Sequence, residues 1–203
     1  MVSAAEQMAA NLSWSSIGKA KDLQNRILYA LLLLIIYRAG TYVPVPGVDA
    51  EQLKTFFEQN AQGIGGMLNM FTGGAVGRMA VFALGIMPYI TSSIIMQLLT
   101  SMVPYLEQLK KEGEQGRQKI NQYTRYGTVI LAFFQSWGIA AGIEAQGLAS
   151  DPGLFFRVSC VVTLVGGTML LMWLGEQITQ RGIGNGISLI IYVGIIAELP
   201  GAL

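Results

Sequence analysis

The residues that usually carry chemistry are scarce in this sequence. Among 203 residues there is no histidine and one cysteine, Cys160. The absence of histidine excludes Ser-His nucleophiles, HExxH zinc sites and histidine proton relays, and a lone cysteine excludes an intramolecular disulfide and a cysteine-only metal cage. The turn Gly-Asn-Gly at residues 184–186 could be mistaken for a phosphate-binding loop, but no Lys-Ser or Lys-Thr pair follows it. We therefore expect no catalytic, cofactor or metal site, and we interpret this turn as a connection between two helices.

The composition indicates an integral membrane protein. Hydrophobic residues make up 52% of the chain and charged residues 12%, whereas a soluble domain averages about 25% charged residues. Residues 79–103, 126–143 and 158–174 contain no charged residue. Because no plausible carboxylate pair lies in mid-membrane, an intramembrane enzyme has little support.

Five apolar segments are predicted to cross the membrane, for which about 20 residues are needed when a helix spans the full bilayer. These segments are residues 27–43, 79–103, 126–143, 154–174 and 187–199. Residues 1–26 form a cytoplasmic N-terminal segment, for which an interfacial helix and a solvated tail are both open. Placing the N-terminus inside puts nine basic residues on the inner side and four on the outer side, so we predict that orientation.

The connections between the spans are predicted from polarity and proline. The Pro-Val-Pro-Gly run at residues 44–47 ends the first span. Residues 49–60 form a short polar helix outside the membrane, and residues 104–125 form a hydrophilic inner loop. Within the second span Pro88 removes one backbone hydrogen bond, so a kink is expected there.

Residues 63–77 combine six glycines with the apolar residues Met67, Leu68, Met70 and Phe71. Glycine weakens a helix by about 1 kcal/mol per residue relative to alanine. Irregular backbone survives at membrane depth only where protein buries it or water lines it. We predict a loosely held half-helix that dips into the membrane beside a water-accessible path. Close helix packing through small residues is the alternative interpretation.

Ile86, Ile90, Ile94 and Gln97 are spaced by four, four and three residues, so they share one face of the predicted second span. The isoleucines are consistent with lipid contact or with helix packing. A polar amide in mid-membrane usually faces protein or water, so Gln97 favours a face turned away from lipid.

Several long motifs resemble the SecY family, the channel subunits of the bacterial protein-export translocon. Residues 83–97, ALGIMPYITSSIIMQ, are similar to the family's second transmembrane helix. KKEGE at 110–114 and QYTRY at 122–126 match its second-to-third cytoplasmic loop. WLGEQIT at 173–179 and RGIGNGIS at 181–188 match the fourth-to-fifth junction, while YRAG at 37–40 and PVPG at 44–47 match the end of the first helix. The resemblance covers nearly the whole chain, but only the N-terminal half of a family member.

The resemblance implies an all-α polytopic membrane protein, with five transmembrane helices and a re-entrant plug half-helix that form half of a ten-helix inverted-repeat channel. The implied function is that of the central pore-forming subunit, which moves unfolded preproteins across the bacterial inner membrane and membrane proteins laterally into it. The implied partners are the SecE and SecG subunits, the SecA motor or a ribosome on the cytoplasmic face, signal sequences, nascent polypeptides and the lipid bilayer, without specific nucleic-acid binding.

The resemblance also assigns roles to individual residues. The ring that narrows the channel at mid-membrane would receive from this half Ile86, Ile90, Ile187 and Ile191. Both pairs are four apart, so each pair shares one helix face. The plug that fills the outer funnel would include Gly65, Gly66, Met67, Leu68, Asn69, Met70 and Phe71. Candidate polar contacts of the lateral gate, where signal sequences leave for lipid, are Thr91, Gln97, Thr128 and Gln135. Candidate contacts of the cytoplasmic loop are Lys110, Lys111, Arg117, Lys119 and Arg125.

The main alternative is a small-solute secondary transporter, which is also built from broken helices. A transporter usually places ionisable residues at the membrane midplane for coupling, and the uncharged stretches above lack them. A polypeptide channel has to accept any side chain, so a narrow apolar ring that gates by dewetting suits it better than specific hydrogen bonds.

Overall fold

The computed structural model describes residues 21–59 and 64–202, which form eight α-helices and no β-strand. In chain order these are α1 Lys21–Gly40, α2 Ala50–Gln59, α3 Ile64–Phe71, α4 Met87–Met102, α5 Pro104–Lys111, α6 Glu114–Ala145, α7 Leu154–Arg181 and α8 Gly186–Ala202. The prediction of an all-α chain is confirmed for these residues. Most of the predicted N-terminal segment, the last residue of the predicted polar helix and residue 63 of the predicted plug lie outside them. Residues 21–26, predicted to precede the first span, belong to α1.

Two helices of the described residues, α6 and α7, are long and apolar enough to cross a membrane by length and composition. The apolar part of α8, Gly186–Glu198, is shorter. The number of spans therefore stays a prediction.

The predicted second span is wrong at its start, because residues 79–86 form turns and α4 begins at Met87. The backbone enters the left-handed region at Met79 and Gly85, with φ of 43° and 57°, which an α-helix does not include. An apolar run indicates a dry environment but does not by itself specify helical backbone. Pro88 consequently lies in the first turn of α4. Its missing N–H costs nothing at that position, so it starts the helix instead of kinking it.

The predicted inner loop, residues 104–125, is also wrong as a loop. It consists of α5, a short turn at Glu112 and Gly113, and the first turns of α6. Further along the chain, the fourth span was predicted to end at residue 174, whereas α7 continues to Arg181. These polar stretches are rich in Glu, Gln, Lys and Arg, which are good helix formers. The helices therefore extend beyond the apolar segments from which the spans were predicted.

The packing centres on α7, which contacts α6, α8 and α1. A first apolar cluster lies between α2, residues 79–84, α6 and α7, with Leu53 and Leu164 among its buried members. A second cluster joins α1, the start of α4, α7 and α8, with Tyr37 and Ile190 among its members. The second cluster contains the predicted ring residues.

The irregular segment between α3 and α4, residues 72–86, is held by backbone hydrogen bonds. The amide N of Val81 donates to the carbonyl O of Val43, and the amide N of Val45 donates to the carbonyl O of Met79, both over 2.9 Å. Buried backbone needs such partners inside the protein. This segment connects the C-terminal end of α3 to the first turn of α4, and both of those ends line the candidate site.

Candidate functional site

An apolar cavity of about 200 Å³ lies where the C-terminal end of α3 meets α1, α4, α7 and α8. Three of the four predicted ring residues, Ile86, Ile90 and Ile191, line it. The last residue of α3, Phe71, lines it as well, together with Tyr37 of α1. Its lining contains no carboxylate and no basic side chain. The cavity can therefore hold apolar side chains, but it offers no carboxylate or basic group for proton or ion coupling.

The predicted ring residues come from two helices that do not follow one another in the sequence. Ile86 immediately precedes α4 and is 7% exposed, and the amide N of Ile90 donates to its carbonyl O over 3.0 Å. Ile191 lies partly buried in α8. Ile86 is a buried member of the second apolar cluster, and Ile90, Ile187 and Ile191 pack against it.

Ile187 is the ring residue that does not line the apolar cavity. Its Cγ1 lies 3.0 Å from the place where a Cβ on Gly175 of α7 would be. It lines instead a neighbouring polar pocket of about 260 Å³ together with Tyr89 and Asn185. The structure thus brings three predicted ring residues together and places the fourth beside them.

Sequence reasoning missed other residues around the cavity, notably Tyr37, Leu171 and Ile190, of which at most 3% is exposed. Ile190 and Ile191 are adjacent, so a search for pairs four residues apart finds only one of them. Tyr37 falls within the YRAG motif, which is the one signal that could have drawn attention to it.

The predicted plug residues lie in α3, which is short and only partly covered. Met67, Met70 and Phe71 are exposed, Met67 by 65%, and Gly66 is half-buried. Gly65 and Leu68 lie within the same helix. α3 packs against α8. The helix is thus an eight-residue element in which the side chains of Met67, Met70 and Phe71 are exposed.

The chain turns after α3, and two hydrogen bonds to Asn69 stabilise this turn. Its side-chain Oδ1 accepts a hydrogen bond from the amide N of Gly77 over 2.6 Å. Its carbonyl O accepts one from the amide N of Gly74 over 2.9 Å. The second part of the predicted plug segment, after Phe71, is therefore a turn stabilised by Asn69 and not a continuation of the helix.

The candidate gate residues fall into two groups. Thr91, Gln97 and Gln135 are exposed, and Gln135 lines a second apolar cavity of about 670 Å³ between α2, residues 72–87 and α6. Thr128 is fully buried, and its hydroxyl donates to the carbonyl O of Thr124 over 2.7 Å. Thr128 is thus engaged within its own helix.

The interface between α4 and α6 is close where Ser92 meets Gly127. A Cβ on Gly127 would lie 2.5 Å from the Ser92 Oγ. That hydroxyl donates to the carbonyl O of Thr124 over 2.8 Å. Sequence reasoning missed this contact, because a serine and a glycine carry no signal of pairing until the helices are placed side by side.

The predicted loop contacts are exposed residues of α5 and of the first turns of α6: Lys110, Lys111, Arg117, Lys119 and Arg125. Lys111 pairs with Glu107, Nζ to Oε1 over 2.7 Å. The hydrogen bond from Lys111, and then its charge, lower the pKa of Glu107 below its ordinary value. Arg125 donates two hydrogen bonds to Glu176 of α7, over 3.0 and 2.6 Å. Arg125 therefore joins two helices, a role that its charge alone did not indicate.

Two solved structures share the fold of this chain. The chain is similar to a protein-conducting channel and to Sec61 in the canine ribosome–channel complex from the endoplasmic reticulum. Both have a TM-score of 0.63 and 20% sequence identity, and in each the match covers 87% of this chain and 37% of the other. The fold is that of a protein-conducting channel.

The sequence comparisons give the family. A family model described as SecY matches residues 80–203, which is more than half of the chain. The chain belongs to the SecY family, and the resemblance seen in the motifs is confirmed.

Individual relatives agree with this assignment. The chain is 55% identical over 193 residues to protein translocase subunit SecY of Escherichia coli K12. This match covers 93% of this chain and 44% of the relative. It is 53% identical over 192 residues to the same subunit of Pseudomonas aeruginosa, covering 95% and 43%. The chain spans less than half the length of these two relatives.

Proposed function

We propose that the chain is the N-terminal half of the central pore-forming subunit of a protein-conducting channel. The whole channel moves unfolded preproteins across the bacterial inner membrane and releases membrane proteins laterally into it. The observation that carries the proposal is the apolar cavity that Ile86, just before α4, and Ile90 of α4 line together with Ile191 of α8 and Phe71 of α3. Half of a ring of aliphatic side chains, with a removable segment beside it, has this arrangement.

The chemistry of that cavity suits an unspecific polypeptide. A wall of isoleucines resists wetting when the path is empty, and it can close around any side chain without specific hydrogen bonds. The alternative of a secondary transporter finds no support there, because no acidic or basic side chain lines the cavity.

The membrane location follows from the exposed apolar surface of the helices. Leu28, Leu32 and Ile35 of α1 are 52–69% exposed, and Phe155 of α7 is 88% exposed. Exposed apolar surface of this kind marks contact with lipid or with other protein. We propose five spans with a re-entrant plug helix, the N-terminus on the cytoplasmic side, and a second five-helix half related by an inverted repeat.

The proposed partners follow from the same assignment. They are the SecE and SecG subunits around the channel, and the SecA motor or a ribosome at the cytoplasmic face. Lys110, Lys111, Arg117 and Lys119 are the exposed cations that would approach such a partner. For the lateral gate we retain Thr91, Gln97 and Gln135, which are exposed, while Thr128 is engaged within α6.

The test uses a chimeric channel, in which residues 1–203 replace the matching part of a full-length SecY family member. A photo-crosslinking amino acid is placed at 86, 90, 187 or 191, and a secretory chain is stalled in transit. We expect crosslinks from these four positions to the stalled chain. Position 35 on α1, where Ile35 is 69% exposed, is the matched control and should give crosslinks to lipid only. Crosslinks of equal yield from position 35 and the ring positions would contradict the proposal.

A further inference from the structure

Four side chains meet beside the glycine turn that follows α3. The Nη2 atoms of Arg38 and Arg78 lie 3.9 and 3.6 Å from the Oε1 of Glu198, near the C-terminal end of α8. Both guanidinium groups also lie over the ring of Tyr42, at 5.1 and 4.4 Å from its centroid. Two cations therefore share one carboxylate and one aromatic face.

This cluster reaches the backbone of the turn directly. The Nη1 of Arg38 donates a hydrogen bond of 2.7 Å to the carbonyl O of Gly73. The next residue, Gly74, has φ of +80°, and a Cβ placed on it would collide with the carboxylate of Glu198. The turn can therefore approach Glu198 only because glycine stands at this position.

The same turn lies against α8 from another side. A Cβ on Gly73 would lie 3.1 Å from the Cα of Gly194, and a Cβ on Gly194 would lie 3.2 Å from the carbonyl O of Phe71. α3 and its turn thus lie against α8 around Gly194, three residues after Ile191. Met67, Met70 and Phe71 of α3 are exposed. The polar cluster is therefore one of the contacts that hold α3 in place, beside this backbone packing and the hydrogen bonds of Asn69.

Glu198 supplies the one negative charge that both guanidinium groups of this cluster share. With its carboxylate ionised, it offsets the repulsion between the two guanidinium groups and keeps Arg38 positioned for its hydrogen bond to Gly73. Without that charge, two cations would remain over one tyrosine ring in a partly buried site, which is unfavourable. Each of the three charged side chains is 24–41% exposed, so screening by water is incomplete.

We propose that Arg38, Arg78 and Glu198 form a latch that holds the glycine turn, and α3 with it, on α8. Its consequence for transport rests on the proposed function: the latch sets how readily the plug leaves the channel. Glu198 and Arg38 are then positioning residues that act on the pore through α3, without touching the translocating chain.

The test measures whether the turn opens, in the chimeric channel in membrane vesicles. Thr72, which is 6% exposed and begins the turn, is replaced by cysteine in a chimera without other accessible cysteines. The native Cys160 is fully buried and serves as an internal reference. A membrane-impermeant maleimide reports the exposure of position 72. We expect Glu198→Gln and Arg38→Gln each to speed labelling about tenfold, since a lost charge-assisted hydrogen bond favours local opening by about that factor.

The matched control is Glu144→Gln. Glu144 pairs with Arg157 at the turn between α6 and α7, away from the glycine turn, so labelling of position 72 should not change. Glu198→Asp keeps the negative charge, so labelling of position 72 should stay slow in this variant. This comparison distinguishes loss of the charge from general unfolding. Equal labelling rates in Glu198→Gln, Glu144→Gln and the unaltered chimera would overturn the latch.

Export by the unaltered chimera keeps the two proposals apart. If the unaltered chimera fails to export a secretory protein, the proposed function fails, and the labelling comparison still decides the latch. If export is normal and labelling of position 72 is insensitive to Glu198, the latch alone is refuted.

Discussion

Gly167 in the middle of α7 lies directly against the backbone carbonyl of Val81, so closely that a Cβ on Gly167 would collide with that oxygen. The contact brings the irregular segment 72–86 against a continuous helix. Non-helical backbone can persist at membrane depth when protein buries it and satisfies its polar groups. Here the amide N of Val81 donates to the carbonyl O of Val43, and the carbonyl O of Met79 accepts from the amide N of Val45, so these polar groups are hydrogen-bonded.

The first prediction concerns this contact. Gly167→Ala should destabilise the chimeric channel, because added volume in a close-packed site costs about 1–3 kcal/mol. The measurement is the midpoint of thermal unfolding in detergent. Gly166→Ala is the matched control, since a Cβ at Gly166 meets nothing within 4 Å and the helix propensity changes equally. Equal midpoints for the two variants would show that α7 and the segment are not packed as described.

The second prediction concerns the ring. Ile86→Asn or Ile191→Asn should raise the resting ion conductance of the chimeric channel several-fold, because a polar amide lets water enter an apolar constriction. Conductance is measured in planar bilayers without a translocating chain. Ile86→Val and Ile191→Val keep the constriction apolar and should leave conductance low. Unchanged conductance in the asparagine variants would refute their assignment to the ring.

The third prediction concerns the plug. Deleting residues 65–76 should leave export intact and should relax the rejection of defective signal sequences. The reason is that Met67, Met70 and Phe71 of α3 are exposed and, among the deleted residues whose burial the structure describes, only the small residues 72–75 are buried, so the channel loses little packing area. Export of a normal and a signal-defective preprotein is measured side by side. Loss of all export would contradict the plug assignment.

The fourth prediction concerns the contact between α4 and α6. Gly127→Ala should force the Ser92 hydroxyl to move and lose its hydrogen bond to Thr124, which costs about 1 kcal/mol. The midpoint of thermal unfolding should therefore lie below that of a matched Gly→Ala variant without this contact. Gly138→Ala lies in the same helix with nothing within 4 Å of the new Cβ, and it should not lower the midpoint. Because alanine favours the helix equally at both positions, equal midpoints in the two variants would show that position 127 does not press on Ser92.

The sequence by itself determined the class of the protein and its family. Scarcity of charge and the uncharged stretches such as residues 126–143 are local properties that add up along the chain, so they can be counted without a structure. The long motifs around Pro88 and Gly184 identified the family for the same reason, because order and spacing are properties of the sequence alone. The family resemblance singled out Ile86, Ile90, Ile187 and Ile191 as ring residues, and the four-residue spacing within each pair fits one helix face.

Only the tertiary structure decided where the helices begin and which distant residues meet. Residues 79–86 are as apolar as a span, yet they form turns because their backbone bonds to residues 43 and 45 and packs on Gly167. Arg38 and Glu198 lie near opposite ends of the sequence, and no local pattern pairs them with Gly73. Left-handed backbone, shared carboxylates and glycine contacts depend on partners that come together only when α1, α7 and α8 are packed. Hydropathy indicates whether a residue lies in an apolar environment. It does not indicate which distant residue packs against it, and the turns, ion pairs and glycine contacts depend on that.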